Sequence, residues 1–309
     1  MLDSAIRILD LDDGLTLQHN LLARYSHQII NLRDLGPKAR LWLDKRTKED
    51  VARRIHGSRR ESLTFLGSGD FHHLTNILIS EFEDDISVIV FDAHPDWETL
   101  PPQLGCGSWV SQTLKNRNIL KLILIGISSS DISTMHLESA NFTSLADDRL
   151  EIYPYQHEPS WVFLKRIPPN TSVKFKNYLF AHKIFWDEMK NKNLSEFILS
   201  VIKRLPSNKV YLSIDKDCLR SDYALTNWEE VMLSLDELLL MLKVIKENAQ
   251  IIGADIVGDY SPVIMQGKIK NLCSWLDHPK IIKAHNLTQD EITKVNEKTN
   301  LKILEALRT

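Results

Sequence analysis

Apolar residues in the middle of the chain recur at two spacings. Ile86-Ser87-Val88-Ile89-Val90-Phe91 is a nearly continuous, β-branched run, the pattern of a strand buried on both faces of a parallel sheet. Residues 120–127, 210–214 and 251–257 read the same way, and a shorter apolar stretch, 62–66, ends in Gly67-Ser68-Gly69-Asp70. Between them the spacing turns helical. Leu74, Ile77, Leu78 and Phe82 mark a helix over 73–82, and 108–117, 195–205 and 234–248 complete an alternation of strands and helices. Such repeated βα units predict a three-layer α/β/α fold with a mostly parallel sheet. At the flanks, 15–32 and 288–307 are expected to be amphipathic helices, the second capped by Thr288 with Glu291 three residues on. Residues 128–175, with Tyr153-Pro154-Tyr155 and Pro168-Pro169, are expected to form one strand among long loops. No repeat or linker divides the chain, so a single domain over 1–309 is expected, its motif-bearing core at about 60–265.

Composition narrows the class without naming an activity. The chain has 309 residues, 43% of them apolar, which is enough to bury a sizeable core. Its net charge of -3 shows no basic excess, so nucleic acid is not an expected partner. Cys106, Cys218 and Cys273 are too few and too scattered for a disulfide framework or a thiolate zinc site. Met1-Leu2-Asp3-Ser4 places an acid where a secretory segment is basic, and no apolar run approaches the ~20 residues that span a bilayer. A cytoplasmic protein without a membrane partner is expected.

The chemistry gathers where strands end. In open α/β sheets ligands bind beyond the carboxyl ends of the strands. After the 86–91 strand comes Asp92-Ala93-His94-Pro95-Asp96, and in extended backbone residues i, i+2 and i+4 share one side. After the 210–214 strand comes Ser213-Ile214-Asp215-Lys216-Asp217, and after 62–66 comes Asp70-Phe71-His72-His73. Any one of these can simply cap a helix or close a turn. Together, four carboxylates delivered to one sheet edge without a cation would repel and be costly to desolvate. Carboxylate and imidazole ligands without thiolate suit manganese, iron, magnesium or zinc.

These residues resemble the ureohydrolases, the arginase and agmatinase superfamily. Its three ordered motifs are Gly-Gly-Asp-His-Ser, Asp-Ala-His-x-Asp and Ser-x-Asp-x-Asp. The second and third are matched at every defined position by Asp92–Asp96 and Ser213–Asp217, and the first approximately by Gly69–His73. The resemblance implies an arginase-like fold and two divalent metals, manganese first and iron, zinc or magnesium as alternatives. Asp92 and Asp215 would bridge them, with His72 and Asp96 on one metal and His94 and Asp217 on the other; His73 is the alternative to His72. It implies a metal-bridging hydroxide that attacks a guanidino or amide-like C–N bond of a small molecule, and it allows a homo-oligomer.

The resemblance thins around the substrate. Where the family carries a shuttle histidine in a His-Gly pair, this chain has Gly105-Cys106-Gly107, which makes Cys106 a candidate catalytic residue or a small buried one. Where the family holds guanidinium with a glutamate in Asp-x-x-Glu-x-x-Pro, this chain has Asp255-Ile256-Val257-Gly258-Asp259-Tyr260-Ser261-Pro262, leaving Asp259 as the candidate. Thr226-Asn227-Trp228-Glu229-Glu230 replaces a Gly-rich continuation. Trp97, Trp109, Asn227 and Trp228 are therefore candidate substrate contacts, although tryptophans also pack loops onto sheets. Two other readings stay open: a non-catalytic binding or regulatory member of the fold, and a mononuclear-zinc amidohydrolase of the deacetylase kind.

Overall fold

Side-chain alternation along the strands builds two cores. In the strand Ile86–Phe91, Ile86, Val88 and Val90 join one apolar cluster while Ile89 and Phe91 join the other across the sheet. Burying each such side chain contributes about 1.5–3 kcal/mol, so a strand loaded on both faces belongs in the middle of a sheet. A computed structural model describes residues 5–57, 63–102, 104–163, 170–228, 231–277 and 287–308. Met1-Leu2-Asp3-Ser4, Ser62, Pro168-Pro169 and Glu229-Glu230 lie outside the described residues.

In chain order the strands and helices are β1 (Ile6–Asp10), α1 (His19–Arg24), β2 (His27–Asn31), α2 (Gly36–Ala39), α3 (Lys45–Ile55), β3 (Leu63–Phe65), α4 (Thr75–Ile79) and β4 (Ile86–Phe91). Then come α5 (Trp109–Thr113), β5 (Ile119–Ile127), α6 (Phe142–Ala146), β6 (Leu150–Pro154), β7 (Ser160–Phe163), β8 (Val173–Asn177) and β9 (Ala181–Trp186). The last are α7 (Leu194–Lys203), β10 (Lys209–Asp215), α8 (Leu235–Asn248), β11 (Gln250–Val257), α9 (Lys268–Asp277) and α10 (Gln289–Arg308). The main sheet has eight strands in the order β2-β1-β3-β11-β10-β4-β5-β6. Every pairing within it is parallel. All carboxyl ends therefore leave by one edge, and β3, β11, β10 and β4 leave it side by side. β7, β9 and β8 form a separate antiparallel sheet.

Local signals account for the helix ends. Ser234 and Glu237 form a reciprocal capping box before α8, and Asp44 caps α3 by accepting from Thr47 N. Thr288 and Glu291 make the box expected from the sequence: Thr288 N donates to Glu291 Oε2 at 2.8 Å. Two expectations are corrected. Residues 15–32 are not one helix; the chain turns after α1 and runs out as β2, the edge strand beside β1. Four of the five β2 residues are exposed, so its side chains carry no buried-strand pattern. Residues 128–175 hold more than one strand: β6, β7 and β8 all fall there, with short helical turns between. Pro154 is tolerated because β6 is the outer strand of the main sheet.

Candidate metal centre

The 3-10 turn Gly69–Leu74 follows β3 and is buried throughout. It sends successive side chains opposite ways. His72 faces the carboxylates beyond β4 and β10, while His73 turns away to a place where burial and the Lys270 ammonium hold its imidazole down at about 3. Gly69 is needed for close approach, since a Cβ there would sit 2.9 Å from Trp228 Cδ1 and 3.1 Å from Asp215 Oδ2. The turn thereby carries an imidazole to the sheet edge without a side chain in the way.

Around His72 the acids converge. His72 Nδ1 lies 3.0 Å from Asp92 Oδ2, 3.4 Å from Asp96 Oδ2 and 3.4 Å from Asp215 Oδ2. On the other side of Asp92, His94 Nδ1 lies 2.8 Å from Asp217 Oδ2 and 3.6 Å from Asp92 Oδ1. Two groups thus have ligand atoms mutually within 4.8 Å, His72–Asp92–Asp96 and Asp92–His94–Asp217, and Asp92 belongs to both. His72 Nδ1 and Asp92 Oδ2 are buried and have no well-aligned hydrogen bond. Buried polar atoms are normally satisfied, so two orphans face to face mark a place for a cation. The donor set fits a hard or borderline divalent ion.

The electrostatics agree. Burial and the Asp92 charge push Asp96 up to about 7. Burial also pushes Asp215 and Asp217 above their ordinary value, with the neighbouring carboxylates adding to it. Burial alone would depress the His72 and His94 imidazoles and raise Asp92. Their mutual attraction outweighs it, holding both histidines well above the ordinary value and Asp92 down at about 2. With protein atoms alone, the cluster balances its charge by keeping protons. A divalent cation does the same work with more charge per site.

Supporting contacts hold the candidate ligands in place. His72 Nε2 lies 2.9 Å from Ser213 Oγ, which donates to Asp255 Oδ1 at 2.7 Å, and Tyr211 OH donates to Asp255 Oδ2 at 2.8 Å. Ala93 N donates to Asp217 Oδ1, Asp217 N to Asp215 Oδ1, and His94 N to Asp92 Oδ1. Trp109 Nε1 donates to Asp96 Oδ2 at 2.6 Å, and the indole meets the His72 ring at 4.7 Å between centroids, tilted by 49°. Asp96 itself has left-handed backbone, φ 46°, which for a non-glycine residue stores about 1–3 kcal/mol. The strain sits at a candidate ligand.

The centre forms the floor of a cavity of about 400 Å³. Cys106 and Trp228 line it, as the sequence suggests, and Trp228 meets His94 edge-on at 5.4 Å. Burial, followed by the charges of Asp96 and Asp70, pushes the Cys106 thiol well above its ordinary range, so it stays protonated at neutral pH. Trp109, Asn227 and Asp259 are placed behind the cavity wall. Asn227 Nδ2 donates to the Ser261 carbonyl and its Oδ1 accepts from Ser68 Oγ. Asp259 is buried against Lys216 Nζ at 2.8 Å and accepts from Gln18 and Asn300. Trp97, 1% exposed, packs edge-on against Phe142 and Trp186. At Gly258, φ 92°, a Cβ would stand 2.4 Å from Asp215 Oδ1, so no side chain fits where the backbone presses on this candidate ligand.

Trp42, Glu98, Ser129, Asp131 and Cys273 also line the wall and belong to no motif. Asp131 follows the carboxyl end of β5, the position at which open α/β sheets collect function. A second cavity of about 380 Å³ adjoins the first and shares Asp96, Glu98, Gly107 and Asp131 with it. Among the described residues neither cavity is lined by Lys or Arg.

The fold is that of the ureohydrolases, an α/β architecture built around a parallel sheet. Arginase from Entamoeba histolytica in complex with L-ornithine superposes with a TM-score of 0.60 at 15% identity, over 99% of this chain and 98% of that one. Arginase from Bacillus subtilis gives 0.59 at 14% identity over 98% and 97%. The agmatine ureohydrolase of Thermoplasma volcanium gives 0.56 at 11% identity over 99% and 90%. In sequence the chain is 28% identical over 201 residues to an uncharacterized protein of Thermotoga maritima. That match covers 65% of this chain and spans 59% of the relative's length. No family model matches the chain.

Proposed function

We propose that this chain is a divergent ureohydrolase, a binuclear-metal hydrolase that cleaves a C–N bond of a cationic, guanidino-type small molecule. The observation that carries the reading is the pair of His/Asp groups joined at Asp92, set on the floor of a cavity at the carboxyl edge of four adjacent strands. His72, Asp92 and Asp96 would hold one ion and Asp92, His94 and Asp217 the other, with Asp215 beside both. Manganese is the first choice of metal. Paired divalent ions supply Lewis acidity and generate a nucleophile from water near neutral pH.

The chain's own residues do the rest. The wall is anionic beyond the candidate ligands, with Glu98 and Asp131 on it, which suits a positively charged guanidinium better than a neutral amide. Trp228 borders His94 and is an indole of the cavity wall beside the candidate metals, available for a cation–π contact through its ring face. His94, partly exposed at 17%, is the most accessible of the candidate ligands. Cys106, held protonated, serves as wall or proton donor and not as a nucleophile.

The test is metal content followed by turnover. About two manganese or iron ions per chain, with urea or ammonia released from a panel of guanidino compounds, is the expected result. One zinc per chain with amide hydrolysis would favour the deacetylase-like reading instead. One observation favours a binding role without turnover: Gly258 closes the place of the guanidinium-holding glutamate. Two bound metals with no hydrolysis across the panel would put that reading ahead.

A further inference from the structure

We infer that the β8–β9 hairpin docks the protein on the surface of an anionic lipid bilayer. Its tip is the wrong composition for a turn in water. Tyr178 N donates to the Ala181 carbonyl at 2.8 Å, closing a loop whose two central residues are Leu179 and Phe180, 86% and 71% exposed. Two-residue hairpin loops take Asn, Asp and Gly because those residues fit the backbone, so a leucine and a phenylalanine there serve something other than the turn. Phe163, 60% exposed, stands beside the tip, since it pairs with Ala181 in the register of β7 and β9.

Charge is segregated around the same apolar point. Among the described residues from Pro159 to Trp186 every charged side chain is a lysine, in a chain whose net charge is -3. The exposed Lys174 and Lys176 of β8 and the half-buried Lys183 of β9 flank the tip, and the nearest acids in sequence, Glu158 and Asp187, lie toward the far ends of the strands. The inner face of this sheet is spent on the protein core through Val162, Val173, Ile184 and Trp186, so the outer face and tip are what remains to meet a partner. Apolar and aromatic side chains ringed by lysine form the arrangement that enters the headgroup boundary of an anionic leaflet.

Other occupants fit less well. Lys183 Nζ covers the rings of Trp161 and Phe185 at 5.6 and 5.4 Å, which occupies faces that a nucleobase would need. Leu179, at the apex, has no ring to stack. A second copy docked tip to tip would bring like charges together. Among the described residues no helix is long and apolar enough to cross a membrane, so the attachment is peripheral.

The experiment is co-sedimentation of the full chain with vesicles of phosphatidylcholine containing phosphatidylserine, against phosphatidylcholine alone. Binding to the anionic vesicles at least about tenfold tighter, weakened by salt, is expected. The pair Leu179→Ser and Phe180→Ser, and separately Lys174→Gln with Lys176→Gln and Lys183→Gln, should each lower it about tenfold while leaving the melting temperature unchanged. A Phe180→Trp variant should shift its emission to the blue on anionic vesicles. Equal or absent binding to both vesicle types overturns the inference, as does binding indifferent to the tip pair. So does preferential capture of a single-stranded oligonucleotide, or a wild-type dimer that the tip pair abolishes.

Discussion

Asp92 is the residue on which both halves of the centre depend, because it alone belongs to both groups of ligand atoms. Asp92→Asn keeps the shape and removes the charge, so both ions and all metal-dependent turnover should be lost. Metal analysis beside an activity assay checks this, and retained metal with turnover would dismiss the assignment. One layer out, Asp255→Asn and Trp109→Phe leave every candidate ligand in place but disturb its orientation. Such changes lower metal affinity by roughly 10–100-fold, readable by competition with a chelating dye. Gly258 is the severest point. Gly258→Ala puts a methyl group 2.4 Å from Asp215 Oδ1 on backbone at φ 92°. A destabilisation of more than about 2 kcal/mol, with weakened metal binding, is expected in denaturant unfolding. Asp92, His94, Asp96, Asp215 and Asp217 were all legible in the sequence, since two intact motifs name them. His72 is preferred over His73 in the sequence only through a gapless overlay on the first motif, because the 3-10 turn is what decides which imidazole faces inward.

At the scale of elements, the strands that carry the site are also the ones that were plain to read. β4, β5, β10 and β11 are buried on both faces and so show as unbroken apolar runs. β2 escaped because an exposed edge strand has no such run, and β7 to β9 escaped because half of each faces solvent. A second tie was equally hidden: α10 is joined to the site by polar contacts distant in sequence. Asn300 Nδ2 lies 3.1 Å from Asp259 Oδ1, and Glu297 Oε1 accepts from Asn20 N and Leu21 N at the start of α1. Asp259 in turn faces the fully buried Lys216, which lies in the chain between two candidate ligands, Asp215 at the end of β10 and Asp217 just beyond it. Removing one partner of a buried pair leaves the other uncompensated, so Asp259→Ala should lose about 3–5 kcal/mol of stability. A variant as stable as the parent, but inactive, would restore Asp259 to the reacting centre.

For the whole molecule, the cluster ties stability to metal and to pH in a defined direction. Asp96 at about 7 and the raised Asp215 and Asp217 keep protons in the folded protein that the unfolded chain gives up near the ordinary carboxylate value. Between those values the folded state holds more protons. In the metal-free protein the contribution of these groups is therefore fullest in acid and is lost as pH rises, for Asp96 through about 7. Metal reverses the sign, because the ions need the carboxylates bare and protons compete with them below that pH. Saturation at a hundredfold excess over the dissociation constant adds about 2.7 kcal/mol per site. Thermal melts with and without manganese should therefore differ by several degrees at pH 8 and by much less at pH 5.5, on the order of the difference between filled and proton-blocked sites. A metal-induced rise of the same size at both pH values would mean that the ions bind somewhere other than this cluster.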